Sequence, residues 1–544
     1  MTSSTPLDLI VHADRVHTMT GDGSADAGIT SIGIRNGSIA IVGTRADAAD
    51  WQATTSLDLG DATITPGLTD AHIHPVMGAA MTAGADLSSV TTVDQARAVL
   101  AAAVADLSRG DWVLGWGLDP NTFGTTAIRG DVFDDVTQGL PMFLRLFDGH
   151  SALANPRALE IAGVTGPVSF DQGASVECDS AGSPTGMLFE FDALELVQQH
   201  VPEDAPEVIA GRFLDILTGM SAVGLTGGHA MDFIGSPIDL LHAVEADVDL
   251  PLRLRFAPWC NPGATDADLE ELRALQGTAG RRWSIEGVKL FIDGTIDNGT
   301  AWLAQPDTFG QSNTSFWPDP ASYRAALTWL DAQGIPTATH SIGDAGLEYV
   351  LDTMATLSGS VTHRVEHIET APADLVARFA GLGVAASMQP THCTHYTKSD
   401  GSDNWSRRLG QERTARGWPT REIRDSGATL AIGSDWPIAP FDPRSIMADA
   451  QLRRKAGHPE IRPSQPEQAL TARMALEGYT SHAAAAIGHS DRSGTIAPGR
   501  YADLTVFGAD PLALGADDLA EVPITATLVD GTLQYRGQNY QGAL

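Results

Sequence analysis

Lysine is nearly missing from this chain: only Lys289, Lys398 and Lys455 interrupt a basic complement made otherwise of arginine. Positive charge as a whole is scarce, with 34 basic against 68 acidic residues and a formal net charge of −34. A surface of that balance repels phosphate backbones and anionic headgroups, so neither nucleic acid nor a membrane is expected as a partner. Cysteine is just as sparse. Cys178, Cys260 and Cys393 are far apart, odd in number and form no CxxC pair, which argues against a disulfide framework and fits a reducing cytoplasm. No apolar run reaches the roughly 18 residues that a spanning helix needs. The opening MTSSTPLDLIVHADRVHTM has no basic leader and is interrupted by Asp8 and Asp14, so no secretory signal is expected and the cytoplasm is the expected location.

What is present is ample core material, 43% hydrophobic over 544 residues, enough for two or three domains. Both ends read as short strands with tight turns. Asn36-Gly37 and Asp530-Gly531 are hairpin signals between alternating runs. Residues 1–62 and 494–544 are therefore expected to meet in one composite β-sandwich domain. Between them, 63–493 alternates short apolar strands with Ala-rich helical stretches, the pattern of a parallel barrel. Eight strand windows stand out: 62–74, 222–230, 251–259, 285–293, 335–341, 363–369, 383–390 and 428–436. A further strand within 141–155 belongs to an insertion at about 76–220. The expected fold class is α/β, a distorted TIM (β/α)8 barrel with the composite β-domain beside it.

Several chemically capable side chains fall at the C-terminal ends of these windows, the face on which such barrels build their sites. His72 and His74 alternate along the first strand, so both imidazoles share one face and can grip one metal; two solvated turn histidines are the plainer alternative. His340, His367 and Asp435 end later strands, and each has an ordinary structural reading as a helix cap or satisfied core residue. Lys289 is different. A chain that avoids lysine nonetheless places one inside the apolar strand GVKLFI. Burial there penalises the ammonium and favours the neutral amine, which can add carbon dioxide to become an anionic carbamate. An ion pair with Asp293 is the alternative. His392, Cys393 and His395 in QPTHCTHYT could bind metal or simply form a loop over the pocket. Eleven tryptophans beside seven tyrosines leave room for an aromatic pocket lining.

Together, TPGLTDAHIHP (65–75), GVKLFIDGT (287–295), THSIGDAG (339–346), RVEHIE (364–369), GSDWPIAPFDP (433–443) and GTIAPGRYADLTVF (494–507) resemble the amidohydrolase superfamily. More narrowly they resemble its family 3 branch, which includes deformylases of N-substituted formamides. DGHSALANPRAL (148–159) and SPTGMLFE (183–190) are similar to that branch as well, so the likeness runs from about residue 7 to 540. The resemblance implies two divalent metal ions, zinc first among the candidates. His72, His74 and Asp435 would bind one and His340 and His367 the other. A carbamylated Lys289 and a hydroxide nucleophile would bridge them, with Asp435 moving the proton. His150, Asn155 and Trp436 are carried over as residues that reach the substrate or shape its pocket.

The implied reaction is hydrolysis of the C–N bond in a small, neutral, apolar or aromatic amide, such as an N-substituted formamide or N-acyl amine. Cyclic amide, carbamate or deaminase-type hydrolysis at the same site is the alternative, and a metal-binding regulatory protein without activity is a further one. A homodimer is left open as the assembly. The loops IDGTIDNGTAW and QPTHCTHYT depart from the branch's usual pattern, which bears on the substrate more than on the metal site.

Overall fold

In the computed structural model, which describes residues 6–540 except 22–27, 106, 109, 171–173, 234, 236 and 539, both Xaa-Gly turns form. Asn36 and Gly37 adopt φ of 49° and 72°, and Asp530 and Gly531 adopt 53° and 69°, the left-handed pair that matches strand twist in a two-residue hairpin. Each turn joins an antiparallel pair, Ser31–Arg35 with Ser38–Gly43 and Ile524–Val529 with Thr532–Arg536. The first pair extends into a four-stranded sheet through Leu7–His12 and Ala53–Asp58. The second belongs to a five-stranded sheet in which Thr63–Pro66 lies antiparallel to Leu504–Phe507. Residues from the two ends of the chain thus share one ladder. Leu9, Val11, Ile32 and Leu57 of the first sheet are buried with Ile64, Leu504, Val506 and Leu528 of the second in a single core. Each such side chain contributes roughly 1.5–3 kcal/mol, so apolar burial fastens the termini together.

The window 62–74 was expected as one strand; the chain makes two. Thr63–Pro66 stays in the terminal sheet, and Leu68–Ile73 starts the central parallel ladder. Gly67 separates them, its N–H donating to the Asp503 carbonyl at 2.8 Å. A Cβ on Gly67 would lie 2.1 Å from Thr226 Oγ1, so the close approach of the first and second central strands requires glycine here.

The remaining seven windows each hold parallel strand. They are Leu225–Ala230, Arg253–Phe256 with Trp259–Cys260, Trp283–Ile285 with Val288–Phe291, Thr337–Ser341, Arg364–His367, Ala385–Met388 and Leu430–Ile432. They pair in chain order, and the ladder is divided into a four-stranded and a six-stranded sheet. The division has local causes. Pro258 has no N–H to donate, and Gly287 turns at φ 95° where a Cβ would meet the Pro336 carbonyl at 2.8 Å. Across the break, Lys289 N–H still donates to the Pro258 carbonyl at 2.8 Å and Glu286 N–H to that of Phe256 at 3.0 Å. Beyond the eighth strand, Asp435 N–H donates to the His72 carbonyl at 2.7 Å. Helices such as Pro320–Ala332, Asp344–Met354 and Ala373–Leu382 connect the strands, an α/β architecture of TIM-barrel type.

By packing, the chain divides into two units. All of the above lies in the first, Met1–His74, Leu214–Asp435 and Phe441–Leu544. The second, Pro75–Phe213 with Trp436–Pro440, is built on a six-stranded sheet of its own that includes Val113–Leu118, Met142–Leu146 and Ser151–Ala154. Cys178, Cys260 and Cys393 are all free thiols. No helix among the described residues is long and apolar enough to cross a membrane.

The contact at Gly67 gives a direct test. Gly67→Ala is expected to lower unfolding stability by about 1–3 kcal/mol, the usual penalty of overpacking, as read from denaturant or thermal unfolding. Adding Thr226→Ala should return part of the loss. A single variant as stable as the parent would mean that the strands do not meet there.

Candidate metal centre

Alternation along the first central strand puts Asp70, His72 and His74 on one face, and all three are buried. Asp70 Oδ1 accepts from His72 N–H at 3.0 Å and from Ser434 N–H at 2.9 Å. One carboxylate oxygen therefore ties the end of the first strand to the exit of the eighth. Gly433 is the residue that allows this, since a Cβ there would lie 2.5 Å from the His72 nitrogen.

Around this tie the structure gathers His72, His74, Lys289, His340, His367 and Asp435, none more than 7% exposed. Asp435 Oδ1 lies 3.0 Å from His74 Nε2 and 3.5 Å from His72 Nε2, while its Oδ2 lies 3.8 Å from His367 Nδ1. Lys289 Nζ is 3.4 Å from His72 Nε2. The His367 ring stands 4.5 Å from that of His340 and 4.8 Å from that of His72. His72, His367 and Asp435 each offer one atom within 4.8 Å of the others, a spacing that one ion can draw together. His367 and Asp435 also hold left-handed backbones, at φ 73° and 61°. Such conformations persist in non-glycine residues only where the surroundings impose them, and they cluster at functional sites.

Burial governs the protonation states. It pushes His72 well below the usual imidazole range, helped by the charge of Lys289, and does the same to His367, helped by His340. Both are neutral rings with a lone pair to give. Burial likewise brings the Lys289 amine down to about 8, against the pull of Glu366 and Asp435. For Asp435 burial works upward, but the closeness of His74, with the charges of His392 and Lys289, holds the carboxyl below its usual range. His74 Nδ1 and His392 Nε2 are buried without a hydrogen-bond partner among the described residues. Neutral imidazoles, an ionised carboxylate and orphaned donor atoms form a nitrogen–oxygen set that fits a divalent cation such as zinc.

Other sequence candidates find different surroundings. Asp293 is not the partner of Lys289. Its carboxylate accepts from the backbone N–H groups of Trp302 (2.8 Å), Ile342 (3.0 Å) and Gly343 (2.8 Å). QPTHCTHYT forms a short helix, Pro390–Tyr396. From it His392 Nε2 comes within 3.7 Å of Asp435 Oδ2, whereas His395 Nε2 pairs with Asp449 at 3.1 Å. In the second unit, His150 Nδ1 lies 2.8 Å from Glu190 Oε2. Asn155 caps the helix Pro156–Ile161 and also takes the Met142 N–H at 2.9 Å. The Trp436 ring fills the space beside Gly78, where a Cβ would lie 2.1 Å from it. Of the tryptophans, Trp317, Trp405 and Trp418 are core, whereas Trp259 packs edge-on against Phe291 at 5.0 Å, and Phe291 lies 5.6 Å from the His340 ring.

Asp70, Glu366 and Gln389 escaped the sequence reading. Glu366 is fully buried, 2.6 Å from His72 Nδ1, and Gln389 Oε1 lies 2.9 Å from His367 Nδ1. The signal for Glu366 was there: Arg364 and Glu366 alternate in the strand Arg364–His367, which places two charges on one face.

The amidohydrolase family model matches residues 56–535. Protein LONG AFTER FAR-RED 3 of Arabidopsis thaliana is 28% identical over 93% of this chain and 88% of its own length. N-substituted formamide deformylase of Arthrobacter pascens is 27% identical over 97% of this chain and 98% of its own. The crystal structure of an uncharacterized metal-dependent hydrolase from Pyrococcus horikoshii superimposes with a TM-score of 0.72, at 22% identity, over 93% of this chain and 99% of that one.

The left-handed backbone of Asp435 separates two substitutions. Asp435→Asn should fold as the parent does, because asparagine tolerates this conformation. Asp435→Thr, β-branched at positive φ, should lose about 1–3 kcal/mol. Equal stability of the two, measured by denaturant unfolding, would argue against the strained geometry.

Proposed function

This chain belongs to the amidohydrolase family, a family of hydrolytic enzymes, and on that premise we propose that it cleaves the C–N bond of a small neutral amide, an N-substituted formamide or N-acyl amine. The observation that carries the reading is the convergence of His72, His74, Lys289, His340, His367 and Asp435 from five strand ends on one buried point. We take the parallel ladder to close as a (β/α)8 barrel, with residues 1–62 and 494–544 as a β-sandwich domain and about 76–220 as an insertion. His72, His74 and Asp435 would hold one divalent ion and His340 and His367 a second, zinc in each case, with Lys289 as a carbamate between them. When bound, such ions supply the positive charge that polarises a carbonyl and makes water acidic near neutral pH.

The chain's own groups divide the remaining work. Lys289, with its amine brought down to about 8, has a neutral fraction able to take up carbon dioxide near physiological pH. Asp435, ionised and close to four histidines, is the group to accept the proton of the attacking water and pass it to the leaving nitrogen. Burial of the whole set keeps competing water out.

Three features support a neutral substrate with an apolar or aromatic group. The Trp259–Phe291 pair lies beside His340. The net charge of −34 repels anions. Arg364, an arginine close to the set, is paired with Glu366 at 2.7 Å and donates to the Ala71 carbonyl at 3.0 Å, so its guanidinium is committed and does not serve as a carboxylate clamp. The likeness to an N-substituted formamide deformylase supports a formyl group as the acyl part.

The protein as purified should contain zinc or a similar divalent metal, measured by plasma mass spectrometry, and exhaustive chelation should abolish amide hydrolysis. His340→Ala and His367→Ala should each lose metal and most activity. Asp435→Asn should lower kcat by about 10²-fold or more. Full activity after chelation would end the metal reading. Matched arylamides with and without a free carboxylate test the substrate reading. A tenfold preference in kcat/KM for the carboxylate-bearing member, about 1.4 kcal/mol in transition-state binding, would overturn it.

A further inference from the structure

Behind the metal-binding face, the interior of the ladder holds a second layer of charge. Glu366 is fully buried and has its two oxygens on different partners, Oε2 at 2.6 Å from His72 Nδ1 and Oε1 at 2.7 Å from Arg364 Nε. Arg364, 2% exposed, is itself fixed from two further sides, by His229 Nδ1 at 2.9 Å and by the Ala71 carbonyl at 3.0 Å. Ala71 immediately precedes His72, so the guanidinium grips both the carboxylate and the backbone of the strand that carries the ring. Placing a carboxylate and a guanidinium in the interior brings a desolvation penalty that an apolar pair would avoid. A purely structural explanation of the pair is therefore weak.

The shortest contact of the His72 ring specifies one proton arrangement. A carboxylate oxygen 2.6 Å from Nδ1 requires an N–H there. On the far side of the ring, Nε2 faces Lys289 Nζ at 3.4 Å and Asp435 Oδ1 at 3.5 Å, both much longer contacts. The Glu366 contact therefore selects the Nδ1–H tautomer, with the Nε2 lone pair directed at the space beside Asp435. His340 and His367 are also held at one nitrogen, but by neutral oxygens, the Gly294 carbonyl at 3.2 Å and the Gln389 amide at 2.9 Å. The contact on His72 is to a carboxylate at short hydrogen-bond distance, which raises the basicity of its ligating nitrogen.

We propose that Glu366 is a positioning residue for His72, and that Arg364 holds Glu366 in place to fix the tautomer and the ring plane from which His72 takes its ion. This rests on the metal-centre reading above. It assigns to the RVEHIE segment a task separate from that of its histidine.

The test uses metal-free full-length protein and zinc itself, titrated against a competing chelator, with circular dichroism and thermal unfolding of each metal-free form alongside. Glu366→Gln keeps the shape of the side chain but loses its charge, and should weaken zinc binding by about 10- to 100-fold. Glu366→Asp, which keeps the charge on a shorter arm, should weaken it less. Zinc affinity within twofold of the parent in a folded Glu366→Gln protein would overturn the proposal. Should that variant fail to fold, ¹⁵N spectra of histidine-labelled, metal-free parent protein decide the matter. A proton on His72 Nδ1 supports the assignment and a proton on Nε2 overturns it. Parent protein that takes up no zinc would sink the metal-centre reading instead, while the same spectra still judge the role of Glu366.

Discussion

The arrangement depends on one small set of hydrogen bonds, those that join the end of the first central strand to the exit of the eighth. Asp70 accepts from the backbone of His72 and of Ser434, and Asp435 donates to the carbonyl of His72. Backbone groups are obligatory hydrogen bonders when buried, so satisfying these few fixes the distance between two segments far apart in sequence. His74, His72 and Asp435 then come together as a consequence. The glycine at 433 and the left-handed turn at Asp435 are the local adjustments that let the two backbones approach so closely.

Much of this could be read in the chain. The eight strand windows were marked by apolar runs, and the hairpins by Asn-Gly and Asp-Gly, because those signals are local. The histidines, Lys289 and Asp435 were marked by where they fall on strand ends, and lysine scarcity made Lys289 conspicuous. What escaped depends on contacts between segments. The split of 62–74 into two strands follows from Thr226 crowding Gly67, 159 positions later in the chain. The division of the third and fourth strands follows from Pro258 and Gly287, which periodicity alone passes over. Asp293 drew notice as a counter-charge for Lys289, yet backbone amides claim it, and no sequence pattern encodes that. His392, one of a trio in QPTHCTHYT, is the member turned towards Asp435, a choice made by the helix that carries it.

Charge is distributed in two opposed ways. The surface is strongly acidic, while the interior behind the site concentrates buried cations: Arg364 and Arg255, with Lys289 above them. Burial draws all three downward from their ordinary values, Lys289 to about 8 and Arg255 to about 9. Carboxylates at Glu366 and Glu286 offset this positive column. The candidate metal centre thus lies between an acidic exterior and these buried cations with their paired carboxylates, a pattern that a neutral molecule crosses with the least electrostatic work.

The shared ladder of the two chain ends bears on how the molecule is made. The strand that carries His72 and His74 begins at Leu68, whose N–H is held by Thr505 Oγ1, 437 positions away, one residue after Gly67 is held by Asp503. During synthesis from the N-terminus, that strand emerges 437 residues before its anchor. Contacts of such separation are slow to form, because a long loop must close before they contribute. The nascent chain therefore carries His72 and His74 without their final anchorage until Thr505 has been made.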